Sequence, residues 1–336
     1  MFVEYIATRV ARTRWLSTGV DDHRGGASAL SHKSGLRWLC GTYGQYKSDN
    51  RLSVWTSVQT GGSSGGDVNV ELKCETDATV GADVRQINLL SNTSAAVSLA
   101  NGQIVYFTYA PNQLTRRHCW EPSDLDIDQE IAATNDSVVN RKTGELIACG
   151  DNGRLRIIRL DQLSPETRSP CLTTHNSLKS VDLMSNSEIV CGTSAGHLKL
   201  YDQRSQAVTL SMANQMSVIT SVKRNPNNPH MIACGNDVGV MSIWDVRNGG
   251  QQVIQMSGHT SYITELAYKS NEPNVLLTSS LDGSLLRWNM SADTKLASVD
   301  AIVGRDAGSA ITSFDVNSLD EIVFSADNEV LYLGHL

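Results

Sequence analysis

Four glycines limit what this chain can fold into more than any other feature. They stand at positions 153, 196, 239 and 283, so the steps between them are 43, 43 and 44 residues. Around them, Asp151-Asn152-Gly153-Arg154-Leu155-Arg156-Ile157, Ser194-Ala195-Gly196-His197-Leu198-Lys199-Leu200, Asp237-Val238-Gly239-Val240-Met241-Ser242-Ile243 and Asp282-Gly283-Ser284-Leu285-Leu286-Arg287-Trp288 align as one turn-then-strand pattern. A β-rich run such as Met231-Ile232-Ala233-Cys234 precedes the turn, and the glycine permits the positive φ that closes a hairpin. Weaker copies stand at Asp49-Asn50-Arg51-Leu52-Ser53-Val54-Trp55, Ala100-Asn101-Gly102-Gln103-Ile104-Val105-Tyr106-Phe107 and Ala326-Asp327-Asn328-Glu329-Val330-Leu331-Tyr332, bringing the total to seven.

A length of 336 residues allows two ordinary domains, but a repeat of this period predicts one continuous array over residues 1–336. Small sheets of this kind cannot bury both faces alone, so the expected fold is all-β: a seven-bladed β-propeller whose ring leaves few edges exposed. Closure needs a non-covalent lock. The strand-like run Phe2-Val3-Glu4-Tyr5-Ile6 (residues 2–6) is expected to supply the outer strand of the last blade, whose other strands come from roughly residues 311 to 334.

The units match the WD repeat, whose period is about 40 to 45 residues. The sixth is nearest that pattern: Gly258-His259, Thr278, Asp282 and Trp288 stand where WD-repeat proteins use a buried His, Ser/Thr, Asp and Trp hydrogen-bond chain. The likeness to a catalytic triad is superficial, since buried polar groups that satisfy one another fix a blade without doing chemistry. Elsewhere Cys149, Cys191, Cys234 and Cys40, each followed by glycine, take the place of Thr278 and are expected to be core packing.

Hydrophobic residues at 40% and charged residues at 19% describe a globular chain, and a net charge of -7 gives no footprint for a nucleic-acid backbone. No run reaches the roughly 20 apolar residues of a membrane span, and no signal-peptide core opens the chain, so a soluble, non-secreted protein is expected. Arg9, Arg12 and Arg14 resemble a transit peptide, but Glu4 and the strand pattern argue against that. Seven cysteines without a Cys-x-x-Cys pair suggest a reducing compartment, which makes the sequons at Asn92, Asn135 and Asn289 chance matches.

No site chemistry emerges. The eight histidines lack metal-ligand spacing, and nucleophile elbows, Walker loops and dinucleotide fingerprints are missing, so no enzyme activity, cofactor, metal or small-molecule substrate is expected. Gly61 to Gly66 reads as a loop, and the acids of Asp124-Leu125-Asp126-Ile127-Asp128-Gln129-Glu130 as a solvated inter-blade connection. Long connections at residues 18 to 35, 57 to 68, 108 to 135 and 160 to 177 are where a rigid ring is expected to bind proteins.

Beyond the repeat, the chain resembles, end to end, the outer-ring nucleoporin family written nucleoporin forty-three. The likeness rests on Thr8-Arg9-Val10-Ala11-Arg12-Thr13-Arg14-Trp15, Gly196-His197-Leu198-Lys199-Leu200-Tyr201-Asp202-Gln203-Arg204, Gly239-Val240-Met241-Ser242-Ile243-Trp244-Asp245-Val246-Arg247 and Glu329-Val330-Leu331-Tyr332-Leu333-Gly334-His335-Leu336. The chain is shorter than vertebrate members in the connections to its third and last blades. The resemblance implies a scaffold at the nuclear envelope, on the short arm of the Y-shaped complex of the nuclear pore. There a helical-solenoid nucleoporin would hold it in support of pore assembly and of mRNA and protein transport, with a link to kinetochores in mitosis. The alternative is a substrate receptor of a cullin-type ubiquitin ligase, because Tyr201-Asp202-Gln203-Arg204 and Trp244-Asp245-Val246-Arg247 resemble the boxes that meet a ligase adaptor. Arg204 and Arg247 are then rim contacts for a partner, unless they only make local salt bridges.

Overall fold

The computed structural model describes residues 2–5, 9–16, 36–44, 50–60, 69–122, 133–161, 168–213, 217–272, 274–290, 296–304 and 308–336. They build seven antiparallel sheets, each running outward from an inner strand. The inner strands are Val10–Leu16, Val84–Ser91, Thr134–Asn140, Leu178–Leu183, Ile219–Arg224, Ile263–Tyr268 and Ile311–Val316, which open the first to seventh blades in turn. Each contacts the inner strand of the next blade, and the seventh contacts the first, so the ring is closed.

The lock is a strand from the other end of the chain. Phe2–Tyr5 pairs antiparallel with Val330–His335, Phe2 opposite Leu333 and Tyr5 opposite Val330, and becomes the fourth strand of the seventh blade. Ile6, the last residue of the expected strand, lies outside the described residues. The third blade shows three strands among the described residues, with Arg154↔Cys171 and Ile157↔Arg168 as isolated bridges along its outer side.

The core is not central. Seven apolar clusters among the described residues each fill one seam between adjacent blades: Ile147, Cys149 and Leu155 of the third pack on Leu178, Val181 and Ile189 of the fourth, and Val10, Trp38 and Cys40 of the first pack on Val323, Leu331 and Leu333 of the seventh. Blade stability therefore depends on the neighbours, as in any array whose units bury their faces against each other. The repeating glycines serve both turn and seam. Gly239 has φ of 84°, and a Cβ there would stand 2.6 Å from the His259 carbonyl oxygen of the next blade. The seventh copy lacks the glycine, and Glu329 takes the left-handed conformation instead, with φ of 63°.

Two of the expected long loops are partly strand. Residues 57–60 extend Arg51–Thr60, and residues 108–120 form the end of Ile104–Ala110 and all of Gln113–Trp120. Their ladder partners, which a linear reading cannot see, supply the hydrogen bonds that turn polar stretches such as Gln113-Leu114-Thr115-Arg116-Arg117 into an outer strand. Residues 18 to 35, the Gly61 to Gly66 run and the acids from Asp124 to Glu130 lie outside the described residues.

Candidate functional site

In the sixth blade, His259, Thr278 and Trp288 are buried and joined. The Trp288 indole N–H donates to Thr278 Oγ1 at 2.8 Å, and Thr278 Oγ1 stands 2.6 Å from His259 Nε2. The chain reaches Asp282 through a residue that the sequence reading missed: Ser284 Oγ lies 2.7 Å from His259 Nδ1 and donates to Asp282 Oδ1 at 2.5 Å. With the serine proton committed to the carboxylate, Nδ1 of the imidazole is the donor to Ser284, and Nε2 accepts from Thr278. Burial works against ionisation of Asp282, but hydrogen bonds from Ser284 and the Thr260 N–H outweigh it and hold the carboxyl well below its ordinary range. The side-chain polar atoms of this chain are joined to one another, so we propose that the four residues brace the blade. Thr278→Val, nearly isosteric, is expected to cost about 3 kcal/mol in urea unfolding by orphaning both the Trp288 N–H and His259 Nε2.

Three of the four cysteines occupy the corresponding register in other blades: Cys40, Cys191 and Cys234 face Thr13, Val181 and Val222 as Thr278 faces Leu266, whereas Cys149 faces Asp136 as Ser279 faces Glu265, so it stands one position further along and Ala148 takes the Thr278 place. All four are buried, and burial pushes each thiol up, Cys234 to about 11 against the opposing Ser242 and Trp244 contacts. Such thiols are protonated at neutral pH and poor nucleophiles. Cys234 is less isolated than expected, since its sulfur lies 3.3 Å from Ser242 Oγ, while Trp244 Nε1 lacks the oxygen acceptor that Thr278 gives Trp288.

A second polar system surrounds the hub, made of residues that the sequence reading did not single out. Each inner strand carries a register shift, and the side chains around it cross to neighbouring blades. Thr220 donates to the Ile263 carbonyl at 2.6 Å, Thr264 to Ile311 at 3.0 Å, Thr312 to Val10 at 2.6 Å, and Asn135 Nδ2 to Leu178 at 2.8 Å. One residue further along, Gln86 Nε2 donates to Asp136 Oδ1 at 2.7 Å and Ser180 Oγ to Asp136 Oδ2 at 2.9 Å. The sequence does carry a signal for part of this: Ile-Thr opens the inner strand at 219, 263 and 311.

Arg14 closes this circle. Its Nη2 meets Glu265 Oε1 of the sixth blade at 2.5 Å and Gln86 Oε1 of the second at 2.6 Å. Glu265 Oε2 accepts from Ser313 Oγ of the seventh blade at 2.7 Å, so one guanidinium links four consecutive blades across the chain's own closure. Burial tends to raise the Glu265 carboxyl, but Arg14, Arg12 and Ser313 together hold it below its usual range; at Asp315 burial prevails over Arg14, and that carboxyl is raised.

On the rim, Arg204 and Arg247 fold back on the strand-ending acids of their own boxes. Arg247 Nη2 lies 2.6 Å from Asp245 Oδ2, and Arg204 Nη2 3.0 Å from Asp202 Oδ2, with the arginine side chains 56% and 72% exposed. The arginine hydrogen bonds lower both carboxyls. Among the described residues, no group of three His, Cys, Asp or Glu side chains is placed to hold a metal ion, and no helix is long and apolar enough to cross a membrane.

A family model described as "WD domain, G-beta repeat" matches residues 250–289. That span takes in Gln251–Ser257, the outer strand of the fifth blade, and three strands of the sixth, so the sequence repeat is offset from the blade by one strand. The same offset is why the last blade borrows its fourth strand from the opposite terminus. The chain is 25% identical to nucleoporin Nup43 of Homo sapiens over 309 residues, 87% of this chain and 77% of that protein. It is 24% identical to the Mus musculus Nup43 over the same shares, 87% and 77%. The nuclear pore complex protein nup43 of Dictyostelium discoideum is 26% identical over 152 residues, 44% of this chain and 36% of that protein. Seven blades in a closed ring and a matched repeat make this chain a WD-repeat β-propeller, similar to nucleoporin Nup43 over most of its length.

Proposed function

We propose that the protein is a structural nucleoporin, a rigid ring that binds other nucleoporins at the nuclear pore complex and carries out no reaction. The observation that carries this is the extent of the likeness to Nup43, which covers most of both chains and so concerns the whole ring and not a shared repeat. The geometry is compatible with that work. His259, Thr278 and Trp288 of the sixth blade, like Arg14 and Glu265 at the hub, are spent on one another, which stiffens a ring that presents two loop rims.

The finer reading is a place on the short arm of the Y-shaped outer-ring complex, held by its helical-solenoid subunit, in support of pore assembly and transport. A fluorescently tagged chain should mark the nuclear rim in interphase and co-purify with Y-complex subunits; diffuse fluorescence and purification without nucleoporins overturns the proposal. Following the same cells into mitosis tests the kinetochore link directly.

The ligase-receptor reading predicts a different purification, in which adaptor is recovered without pore subunits. The exposed guanidiniums of Arg204 and Arg247 leave the rim boxes accessible for that role. Arg247→Ala should shift Tm by no more than about 2 °C, because exposed ion pairs contribute little. A larger loss in a thermal melt assigns the arginine to the fold instead of to a partner.

A further inference from the structure

The rim that carries Arg204 and Arg247 also holds a groove between the third and fourth blades. It has a volume of about 480 Å³ and is lined by Val139, Leu183 and Met184 together with Arg141, Lys142 and Arg224. That volume is within the range of about 300–1,000 Å³ that ligand-holding clefts occupy. The rest of the lining is amide and hydroxyl, and no carboxylate takes part, although the chain as a whole carries a net charge of -7.

The walls are tied before anything binds. Asn140 Nδ2 of the third blade donates to the Asn186 carbonyl of the fourth at 2.9 Å, and the Arg224 N–H of the fifth donates to Asp182 Oδ2 at 2.7 Å. Arg141 Nη2 is anchored on the Leu89 carbonyl at 2.9 Å. Among the described residues, Lys142 and Arg224 have no side-chain hydrogen bond or ion pair. Two uncommitted cations therefore flank an apolar strip on an acidic protein. Preorganised walls spare a ligand much of the ordering cost of binding.

We infer that this groove seats an acidic, amphipathic peptide segment of a partner protein, its carboxylates on Lys142 and Arg224 and its apolar side chains on Val139, Leu183 and Met184. The apolar strip distinguishes the peptide from nucleic acid, because no aromatic ring lines the groove to stack a base. Charge also favours a local contact: at physiological salt the Debye length is about 8 Å, so the distant acids of the ring are screened while cations in contact with the ligand are not. The inference deepens the reading of the ring as a protein-binding scaffold and rests on it.

Anisotropy of a fluorescein-labelled peptide of glutamate and leucine, titrated with the full chain, tests the groove directly. Binding should weaken as salt rises, fail when lysine replaces every glutamate in the peptide, and fall about tenfold or more in the double variant Lys142→Glu/Arg224→Glu. Lys142→Met/Arg224→Met should fall in between, and both variants should melt with the wild type, which keeps a folding defect from passing for a binding one. Equal binding by the charge-reversed variant, or by the lysine peptide, overturns the inference, and so does tighter binding of single-stranded RNA than of the acidic peptide. Nuclear-rim recruitment separates the two readings. A wild-type chain absent from the rim defeats the scaffold proposal whatever the peptide does, whereas normal recruitment with no peptide binding defeats only the groove.

Discussion

Replacing Arg14 by methionine is expected to lower the stability of the ring by about 3–5 kcal/mol, the range for removing one partner of a buried ion pair. The loss comes less from the missing attraction than from what stays behind. Glu265, 7% exposed, keeps its hydrogen bonds to Ser313 Oγ and the Phe314 N–H and a longer ion pair with Arg12 at 3.9 Å but loses its nearest counter-ion, while Gln86 loses a donor on the other side. The double variant Arg14→Met/Glu265→Gln should recover more than half of that cost in a urea titration, because a buried pair replaced as a whole is often nearly neutral. Recovery stays incomplete, since Asp315 also faces the guanidinium and is left with only backbone donors from Trp15 and Val316. Simple additivity of the two substitutions would show that Arg14 and Glu265 do not act as a unit.

Deletion of residues 1–8 should cost about 3 kcal/mol or more, lower Tm by about 5 °C, and broaden the transition. Four ladder positions opposite Val330 to Leu333 are lost, and Val330–His335 becomes an open edge. The seam between the seventh and first blades then relies on its apolar cluster, Val10, Trp38 and Cys40 against Val323, Leu331 and Leu333, and on polar contacts such as Thr312 Oγ1 to the Val10 carbonyl and the Thr13 N–H to Ser313 Oγ. A truncated chain that melts sharply at the wild-type temperature would mean those seam contacts suffice, and that the borrowed strand is an accessory. Both deletions of closure act at one seam, so combining Arg14→Met with the truncation should cost more than the sum.

The fold was legible in the chain because its units are local. A hairpin turn needs a residue tolerant of positive φ, and Gly153, Gly196, Gly239 and Gly283 announce four turns at a step that only a ring of small sheets explains. The brace of the sixth blade was mostly legible for the same reason: His259, Thr278, Asp282 and Trp288 lie within one repeat. Ser284 was overlooked because its role depends on the rotamer that puts Oγ between imidazole and carboxylate, and no spacing encodes that. The strand ends at residues 57–60 and 108–110 and the outer strand Gln113–Trp120 look like loop in the sequence because segments paired largely on one side have a weak apolar alternation.

Local turn chemistry and hydrophobic alternation were thus enough to dictate the number of blades, their order and the borrowed strand, since each depends on residues near one another or on a period that counts itself. The hub and the groove were left to the assembled ring. Arg14 and Glu265 stand 251 positions apart, and Lys142 and Arg224 belong to blades that meet only through the fourth. No pairwise pattern in a linear chain announces such neighbours, because closure brings them together by the summed twist and packing of every blade in between.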